Sequence, residues 1–232
     1  MNRRIAYVED NEEAREVYAR LLRDVGFDVA TYGDKDEAIG AFRRELPDLA
    51  LLDVSHRGDR DAGYAICTEL RKISADVPII FLTNRHGEVD KISGFRLGAD
   101  DYISKDASLD YVLVRIEALF RRLEAIRGAR NSEPAAEPGL AGIEFDETYA
   151  RVFWKGEPVD MPLTHYWIVR ELCRMPGQVR SHRDLMKAAS LVVEPNTIAA
   201  HVKSIRQAFT RHDPDFRCIK TERGRGYRWI SD

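Results

Sequence analysis

The sequence predicts a doubly wound α/β domain with a five-stranded parallel sheet, followed by a smaller α+β domain with a winged helix-turn-helix. In the first part, short apolar runs alternate five times with segments of helical period, which is typical of a parallel sheet. A stretch rich in Gly, Pro, Ser and Ala then follows, GARNSEPAAEPG, and this composition indicates a flexible linker. The last part has three helical segments before a Gly-containing hairpin pattern. We therefore predict domains at 1–127 and 140–232, with a linker at 128–139.

Five apolar runs supply the predicted strands of the first domain. They are Ile5–Val8, Asp28–Thr31, Leu49–Asp53, Ile79–Thr83 and Tyr102–Ser104. The first helix follows from apolar residues at i, i+3, i+4, i+7 and i+8 starting at Ala14, and Gly26 ends it. Asp34 with Glu37 predicts a capped helix running to Glu45. The later helices are predicted at Ala62–Ile73, Glu88–Leu97 and Ser108–Ile126.

The second domain is predicted to contain strands on both sides of its helices. The strands before them are Gly142–Phe145, Arg151–Trp154 and Val159–Met161; the helices are Thr164–Met175, Ser181–Ala188 and Pro195–Thr210; and the hairpin pairs Cys218–Thr221 with Tyr227–Ile230. We predict that the three tryptophans, Trp154, Trp167 and Trp229, are core residues.

Composition excludes several classes of protein. Of 232 residues, 36 are Lys or Arg and 39 are Asp or Glu, with 44% hydrophobic residues, so the chain can bury a core. No apolar run reaches the ~18–20 residues of a membrane helix, and the first residues lack a signal-peptide pattern. The three cysteines form no CxxC pair, which argues against a zinc site. We expect a cytoplasmic protein that does not bind membranes.

Charge differs between the two domains. Residues 1–122 carry 19 basic and 24 acidic side chains, a net charge of −5, whereas residues 140–232 carry 15 and 12, a net charge of +3. This asymmetry suggests two separate functions in one chain.

Chemically active side chains stand at the ends of the predicted strands. They are Glu9 and Asp10 after the first strand, Asp53 after the third, Thr83 at the end of the fourth and Lys105 after the fifth. In this fold class, strand ends meet at one edge of the sheet. Three carboxylates there suit Mg²⁺, and Asp53 could accept a phosphoryl group whose oxygens Lys105 and Thr83 contact. Taken singly, each residue also has an ordinary interpretation, such as a helix cap or a solvated lysine.

These residues carry a resemblance to a known family. The segments YVEDNEEAR, DLALLDVS, PIIFLTN, GFRLGADDYISK and KTERGRGYRW resemble the OmpR/PhoB family of response regulators, in which a flavodoxin/CheY-like receiver precedes a winged-helix domain. The resemblance implies that Asp53 is the phosphoacceptor and that Glu9, Asp10 and Asp53 hold Mg²⁺ with the backbone carbonyl of Ser55. It also implies that Thr83 and Tyr102 form a switch pair, and that Lys105 contacts the phosphoryl group.

The resemblance further implies a receiver dimer. The family dimerises through the surface formed by its fourth helix, fifth strand and fifth helix. The residues that match its cross-subunit ion pairs are Lys91, Asp100, Asp101, Arg115 and Arg122. The ordinary alternative is a charged helix surface, because exposed ion pairs contribute only ~0–1 kcal/mol each.

The segment Pro195–Thr210 is predicted to read DNA. Its apolar stripe runs through Ile198, Val202, Ile205 and Phe209, and the opposite face carries Asn196, Ala200, Lys203 and Gln207. Such side chains can contact base edges in the major groove. The hairpin tip carries Arg223 and Arg225, which suits phosphate contact. By resemblance, Thr197 and Arg206 contact the DNA backbone, and His201 matches a family position but could equally be a packing residue.

Three functions remain open at this point. The first is a transcription regulator that a sensor histidine kinase phosphorylates on Asp53, and that then dimerises, binds tandem half-sites in promoter DNA and contacts RNA polymerase. The second is a constitutive DNA-binding regulator, since Asn84, Arg57 and the Lys105-Asp106 step depart from the family pattern. The third is an Asp-nucleophile phosphotransfer enzyme of the haloacid-dehalogenase type, which the motif after the first strand does not match. We predict that the chain is not a dedicated enzyme, although the receiver could hydrolyse its own phosphoaspartate.

Overall fold

The structure of the chain is a computed structural model. It describes residues 3–56, 58–85, 87–128, 140, 142–147, 150–189 and 195–230, without the side chains of 88, 122, 125–128, 195 and 196. The chain divides into two compact units, Met1–Arg115 and Ile116–Asp232. The division falls within a long helix, and the predicted boundaries at 127 and 139 remain predictions. Within the described residues, no helix is both long and apolar enough to cross a membrane.

The first unit contains the predicted five-stranded parallel sheet. Its strands are β1 (Arg4–Val8), β2 (Asp28–Tyr32), β3 (Leu49–Leu52), β4 (Ile79–Thr83) and β5 (Asp101–Ser104), in the order β2-β1-β3-β4-β5. Every residue of β3 and β4 is buried, as expected for central strands covered on both faces. The strand order reverses between β1 and β3, so the crevice of this fold lies at their carboxyl ends.

Helices follow each strand, close to the predicted positions. They are α1 (Glu12–Asp24), α2 (Lys35–Arg44), α3 (Ala62–Ile73), α4 (Glu88–Arg96) and α5 (Leu109–Gly128). The side chain of Asn11 accepts a hydrogen bond from the amide of Ala14 and caps α1. Asp34 accepts hydrogen bonds from the amides of Asp36 and Glu37, which confirms the predicted cap of α2.

The second unit has strands on both sides of a group of three helices. A sheet of β6 (Ile143–Asp146), β7 (Arg151–Trp154) and β8 (Glu157–Val159) precedes α6 (Leu163–Cys173), α7 (His182–Ala188) and α8 (Pro195–His212), and β9 (Ile219–Glu222) pairs with β10 (Gly226–Trp229) as a terminal hairpin. The predicted strand Val159–Met161 was wrong: β8 ends at Val159, and prolines flank this segment at 158 and 162, where they limit ladder hydrogen bonding.

One apolar cluster holds the second unit together. Trp154 and Trp229 are buried members of it, and Trp167 packs against it while partly exposed. Ser181 and Asp184 form a reciprocal capping box at the start of α7. The amide and carbonyl of Tyr227 exchange hydrogen bonds with those of Arg180, so the hairpin is attached to the segment that precedes α7. The fold is thus a winged helix-turn-helix, as predicted.

Candidate functional site

The carboxyl edge of the parallel sheet brings the predicted acidic residues together. Carboxylate oxygens of Glu9, Asp10 and Asp53 lie within 4.8 Å of one another. The sheet fixes this arrangement, because the amide of Asp53 donates to the carbonyl of Val8 at 2.9 Å and the amide of Lys105 donates to the carbonyl of Thr83 at 3.1 Å. The ladder therefore extends past the strand ends into the site itself.

Lys105 forms ion pairs with two of these carboxylates. Its Nζ lies 2.5 Å from Oε2 of Glu9 and 2.7 Å from Oδ2 of Asp53. Burial opposes the charged amine, but the hydrogen bonds to Asp53 and Glu9 outweigh it, so the pKa of Lys105 is raised. The lysine is a cation at neutral pH and compensates part of the negative charge of the pocket.

Glu9 is held by further donors. The hydroxyl of Tyr7 donates to Oε2 of Glu9 at 3.0 Å, and the amide of Asn11 donates to Oε1 at 3.2 Å. Burial, followed by the charge of Glu9, raises the pKa of Tyr7, so its hydroxyl remains a donor. Sequence reasoning missed this tyrosine, although it is the one residue with a polar side chain in the run Ile5–Val8.

A glycine allows α3 to approach Asp53 closely. A Cβ atom at Gly63 would lie 2.0 Å from the carbonyl oxygen of Asp53 and 2.7 Å from Cα of Val54. The amide of Gly63 donates to the carbonyl of Val54 at 2.9 Å. The helix therefore packs against the backbone that carries Asp53, and a larger residue would displace one or the other.

The donor set fits a magnesium ion. Three carboxylates with oxygen atoms this close, on the carboxyl edge of the sheet, are the hard ligands that Mg²⁺ prefers. Asp10 is half-exposed, whereas Glu9 and Asp53 are buried, so the cluster is accessible from one side. Glu9, Asp10 and Asp53 would hold the ion.

The two predicted switch residues both contact Arg85. The hydroxyl oxygen of Thr83 accepts from the amide of Arg85 at 3.3 Å, and the hydroxyl of Tyr102 donates to the carbonyl oxygen of Arg85 at 2.6 Å. Thr83 and Tyr102 are both buried. Sequence reasoning missed Arg85; its position two residues after Thr83, at the edge of the pocket, is the signal that could have found it.

The departures from the family pattern leave Lys105 in contact with Asp53. No peptide bond among the described residues is cis, so the Lys105-Asp106 step is trans. Asn84 is exposed, and Arg57 lies outside the described residues. The distance of 2.7 Å between Lys105 and Asp53 shows that this contact does not need a cis bond.

Three of the residues predicted for a dimer surface, Asp100, Asp101 and Arg115, form ion pairs within the chain. Nε of Arg115 lies 2.5 Å from Oδ2 of Asp101, with both side chains buried. The carboxylate of Asp100 is fully buried and accepts from Arg71 and from the amide of Ile79. This arrangement does not favour the predicted intermolecular ion pair of Asp100, since its hydrogen bonds connect it to β4 and α3. Lys91 is half-exposed, and the side chain of Arg122 lies outside the described residues.

The exposed face of α8 is smaller than predicted. Lys203 and Gln207 are exposed, but Thr197 and Ala200 are each only 5% exposed, and the side chain of Asn196 lies outside the described residues. The burial of Ala200 does not favour its predicted place on a base-reading face. Helical angle places Ala200 opposite the apolar stripe of α8, yet its side chain is buried.

Arg206 connects α8 to the hairpin. Its NH2 group donates to the carbonyl of Ile219 and to Oγ1 of Thr221, both at 2.9 Å, and its guanidinium lies 5.8 Å from the ring centroid of Tyr227. The expected contact of Arg206 with a DNA backbone is not favoured by this arrangement, since the side chain is already used within the unit. His201 is fully buried, and its Nδ1 lies 3.1 Å from Nε2 of His165, which supports a packing role.

The tip of the hairpin presents two arginines to solvent. Arg223 and Arg225 are exposed, while Arg228 pairs with Glu222 at 2.9 Å. Gly226 has a φ of +134°, and a Cβ atom there would lie 2.0 Å from the carbonyl oxygen of Arg180. The hairpin is therefore closely attached at its base and basic at its tip. A helix with exposed Lys203 and Gln207 beside such a tip has the features of a duplex-DNA surface.

Family models match both units. A model described as a response regulator receiver domain matches residues 5–117, and one described as transcriptional regulatory protein, C terminal, matches residues 156–229. Each match covers the part of the chain in which the corresponding site was found.

Whole proteins also match along the full length. The chain is 34% identical over 230 residues to the sensory transduction protein RegX3 of Mycolicibacterium smegmatis, covering 97% of both chains. It is 31% identical over 232 residues to the phosphate regulon transcriptional regulatory protein PhoB of Escherichia coli, covering 99% of this chain and 98% of that one. A solved structure of a RitR mutant has a TM-score of 0.76 over 100% of both chains at 19% identity, which shows a shared fold.

Proposed function

The chain belongs to the OmpR/PhoB family of two-component response regulators and is a transcription regulator with a receiver and a DNA-binding domain; from that membership we propose that phosphorylation of Asp53 controls its binding to promoter DNA. A sensor histidine kinase supplies the phosphoryl group in the cytoplasm. The phosphorylated receiver forms a homodimer, and the paired DNA-binding domains occupy tandem half-sites, where they contact RNA polymerase. The receiver could then hydrolyse its own phosphoaspartate.

The observation that carries this proposal is that the carboxylate of Asp53, the ammonium of Lys105 and the hydroxyl of Thr83 lie at one edge of the sheet. Asp53 lies 2.7 Å from the amine of Lys105, within a cluster of three carboxylates. The bound Mg²⁺, with the carbonyl of Ser55 as a further ligand, would neutralise charge on the phosphoryl oxygens. The same chain carries a basic hairpin beside an exposed helix face.

The residues of the pocket have separate tasks in phosphoryl transfer. A carboxylate oxygen of Asp53 attacks the phosphorus of the donor phosphohistidine; the new O–P bond forms as the P–N bond breaks, and the imidazole leaves with the electron pair and takes up a proton. Lys105 turns from the carboxylate to an oxygen of the phosphoryl group. The hydroxyl of Thr83 moves to donate to another phosphoryl oxygen, and Tyr102 responds to this movement of Thr83.

The recognition surface is proposed from the residues that remain exposed. The exposed Lys203 and Gln207 face base edges in the major groove, while the exposed Arg223 and Arg225 contact phosphates or the minor groove. Asn196, whose side chain lies outside the described residues, is proposed for base contact from the sequence pattern alone. Thr197 is a weaker candidate because it is buried. Two domains on half-sites one helical turn apart would bind with a spacing of ~10 bp.

The receiver dimer is proposed with a reduced set of residues. Lys91 and Arg122 remain candidates for contact with a second copy. Asp101 and Arg115 pair within the chain, and such a pair can position both side chains for a neighbouring copy. These ion pairs would set the register of the dimer more than its strength.

Solution mass under phosphorylation-mimicking conditions tests the proposal. Light scattering is measured with and without Mg²⁺ and beryllofluoride, for the wild type, Asp53→Ala and, as a control, Asp36→Ala at an exposed position of α2. We expect a shift from monomer to dimer in the wild type and the control but not in Asp53→Ala.

Covalent labelling gives an independent measurement. A small phosphodonor with Mg²⁺ should label the wild type and leave Asp53→Ala unlabelled; persistent labelling would show that another residue is the acceptor. A wild-type mass that does not change with beryllofluoride would instead favour the constitutive DNA-binding regulator.

A further inference from the structure

Arg85 occupies a central position between the two switch residues. Its backbone amide donates to Thr83 at 3.3 Å, and its backbone carbonyl accepts from Tyr102 at 2.6 Å. A shift of the Arg85 backbone would therefore change both hydrogen bonds. The side chain of Arg85 contacts other segments, and these contacts can restrain the same backbone.

The guanidinium of Arg85 has acceptors on two other segments. Its NH1 group donates to the carbonyl of Arg60 at 2.8 Å and to Oδ1 of Asp61 at 2.7 Å. Its NH2 group donates to the carboxylate of Asp90 in α4. The carbonyl of Asp90 accepts from the hydroxyl of Tyr64 at 3.0 Å, and the guanidinium lies 5.6 Å from the ring centroid of Tyr64. The hydrogen bonds to Asp61 and Asp90 raise the pKa of Arg85 against the effect of burial.

The carbonyl of Arg60 connects this cluster to the phosphoacceptor. It also accepts from the hydroxyl of Ser55 at 3.4 Å, and Ser55 lies two residues after Asp53. We call residues 54–61 the acceptor loop, of which the structure describes all but residue 57. Lys35 pairs with Asp59 at 3.2 Å, so the loop is attached to α2 on one side and to Arg85 on the other.

An ordinary surface ion pair is the alternative explanation. Asp61 has a side chain that is 67% exposed, and such a pair alone contributes little. Arg85 differs because its own side chain is 27% exposed and serves three acceptors at once, one of them a backbone carbonyl. A planar guanidinium can satisfy several acceptors in a fixed geometry that an amine cannot reproduce. The backbone of the same residue also contacts both switch residues.

We propose that Arg85 is a positioning residue for phosphoryl signalling, which holds the acceptor loop and Tyr102 in one hydrogen-bonded unit. A change at Asp53 reaches Tyr102 through the acceptor loop, the guanidinium and the carbonyl of Arg85. This inference rests on the proposed function, since it concerns how the phosphoryl group at Asp53 is sensed. It adds a contact between Arg85 and the residues Arg60 and Asp61.

Fluorine NMR of the full chain tests this coupling. The nine tyrosines are replaced by 3-fluorotyrosine, and Tyr102→Phe identifies the signal of Tyr102. Beryllofluoride with Mg²⁺ is then added, and the same spectra report both the bound beryllofluoride and the Tyr102 signal. The variants are Arg85→Ala and Arg85→Lys. The control is Arg43→Ala, which removes an exposed arginine whose pair with Glu69 spans 3.5 Å.

If Arg85 couples the two sites, its replacement should leave beryllofluoride binding intact but weaken the response of the Tyr102 signal. The wild type and Arg43→Ala should bind beryllofluoride and shift the Tyr102 signal. Arg85→Ala should still bind it, while its Tyr102 shift falls at least threefold. Arg85→Lys should give an intermediate shift, because a lysine ammonium cannot reproduce the fixed planar geometry of the guanidinium. If Arg85→Ala does not fold, Arg85→Lys alone decides the matter.

Two opposite results can be distinguished. A full Tyr102 shift in both Arg85 variants would overturn the positioning role while leaving the proposed function intact. A wild type that binds no beryllofluoride would contradict the proposed function, and the inference would fail with it.

Discussion

The acidic pocket and the recognition surface are built in different ways. Glu9, Asp53 and Thr83 are buried at the ends of strands, where the hydrogen-bonded ladder fixes their positions. The exposed residues Lys203 and Arg223 instead depend on which face of a helix or hairpin the rest of the unit leaves open. The difference teaches that topology alone locates a site at strand ends, whereas a site on a helix surface requires knowledge of packing.

The largest expected losses of stability come from replacing one glycine in each unit, Gly226 and Gly63, at which a Cβ atom would meet a backbone carbonyl. Gly226→Ala would create a 2.0 Å contact with the carbonyl of Arg180 at a φ of +134°, so overpacking and backbone strain, each of about 1–3 kcal/mol, both apply. Gly63→Ala creates a 2.0 Å contact with the carbonyl of Asp53 but has no positive φ. Overpacking alone should therefore lower its unfolding free energy by about 1–3 kcal/mol. Denaturant unfolding measures both losses.

The same two variants separate the functions. Gly226→Ala should weaken DNA binding while labelling of Asp53 persists, and Gly63→Ala should impair labelling while basal DNA binding persists. Equal loss of both activities in either variant would mean that the sites are not independent. A Gly63→Ala protein as stable as the wild type would contradict the tight packing of α3 against β3.

Acid should destabilise the second unit through His201. Burial lowers the pKa of His201 to about 3 from an ordinary value of 6.5. Between these values the unfolded chain binds the extra proton, so stability is fully present above pH 6.5 and falls as the pH drops towards 3. One extra proton on the unfolded chain changes the unfolding free energy by about 1.4 kcal/mol per pH unit. Lowering the pH by two units within this range should therefore reduce the unfolding free energy by about 2–3 kcal/mol.

Tryptophan fluorescence can follow this loss specifically. All three tryptophans, Trp154, Trp167 and Trp229, lie in the second unit. His201→Gln should flatten the dependence of unfolding free energy on pH, while His212→Gln, at an exposed position at the end of α8, should leave it unchanged. An equally steep dependence in His201→Gln would assign the effect to other groups.

The contrast between the acidic pocket and the recognition surface also explains which parts of each site could be predicted from the sequence. Five apolar strands alternating with helices predicted that Asp53 and Lys105 meet, because parallel strands place their carboxyl ends on one edge. The contacts of Tyr7, in β1, and of Arg85, after β4, were missed because they depend on side-chain directions, which the pattern of strands and helices does not give. Helical period gave the angle of Ala200 on α8 but not its burial.

A pair of substitutions on α8 separates base reading from internal packing. Lys203→Ala should relax the base preference at one position by ~1–3 kcal/mol without loss of stability, because Lys203 is exposed. Arg206→Ala should lower stability instead, because its guanidinium joins α8 to β9. Binding to a panel of single-base variants, with unfolding curves, measures both. Uniform weakening across the panel in Lys203→Ala would make that lysine a phosphate contact.

The smallest expected effect concerns the hairpin tip. Each phosphate contact releases counterions, and the slope of log affinity against log salt concentration changes by ~0.9 per contact on duplex DNA. Arg223→Ala should therefore reduce the slope by about one while the sequence preference stays the same. The control Arg43→Ala, an exposed arginine in the first unit, should leave the slope as it is. An unchanged slope in Arg223→Ala would remove the tip from the interface, and the recognition surface would then consist of α8 alone, on which Lys203 would have to carry the electrostatic part of binding.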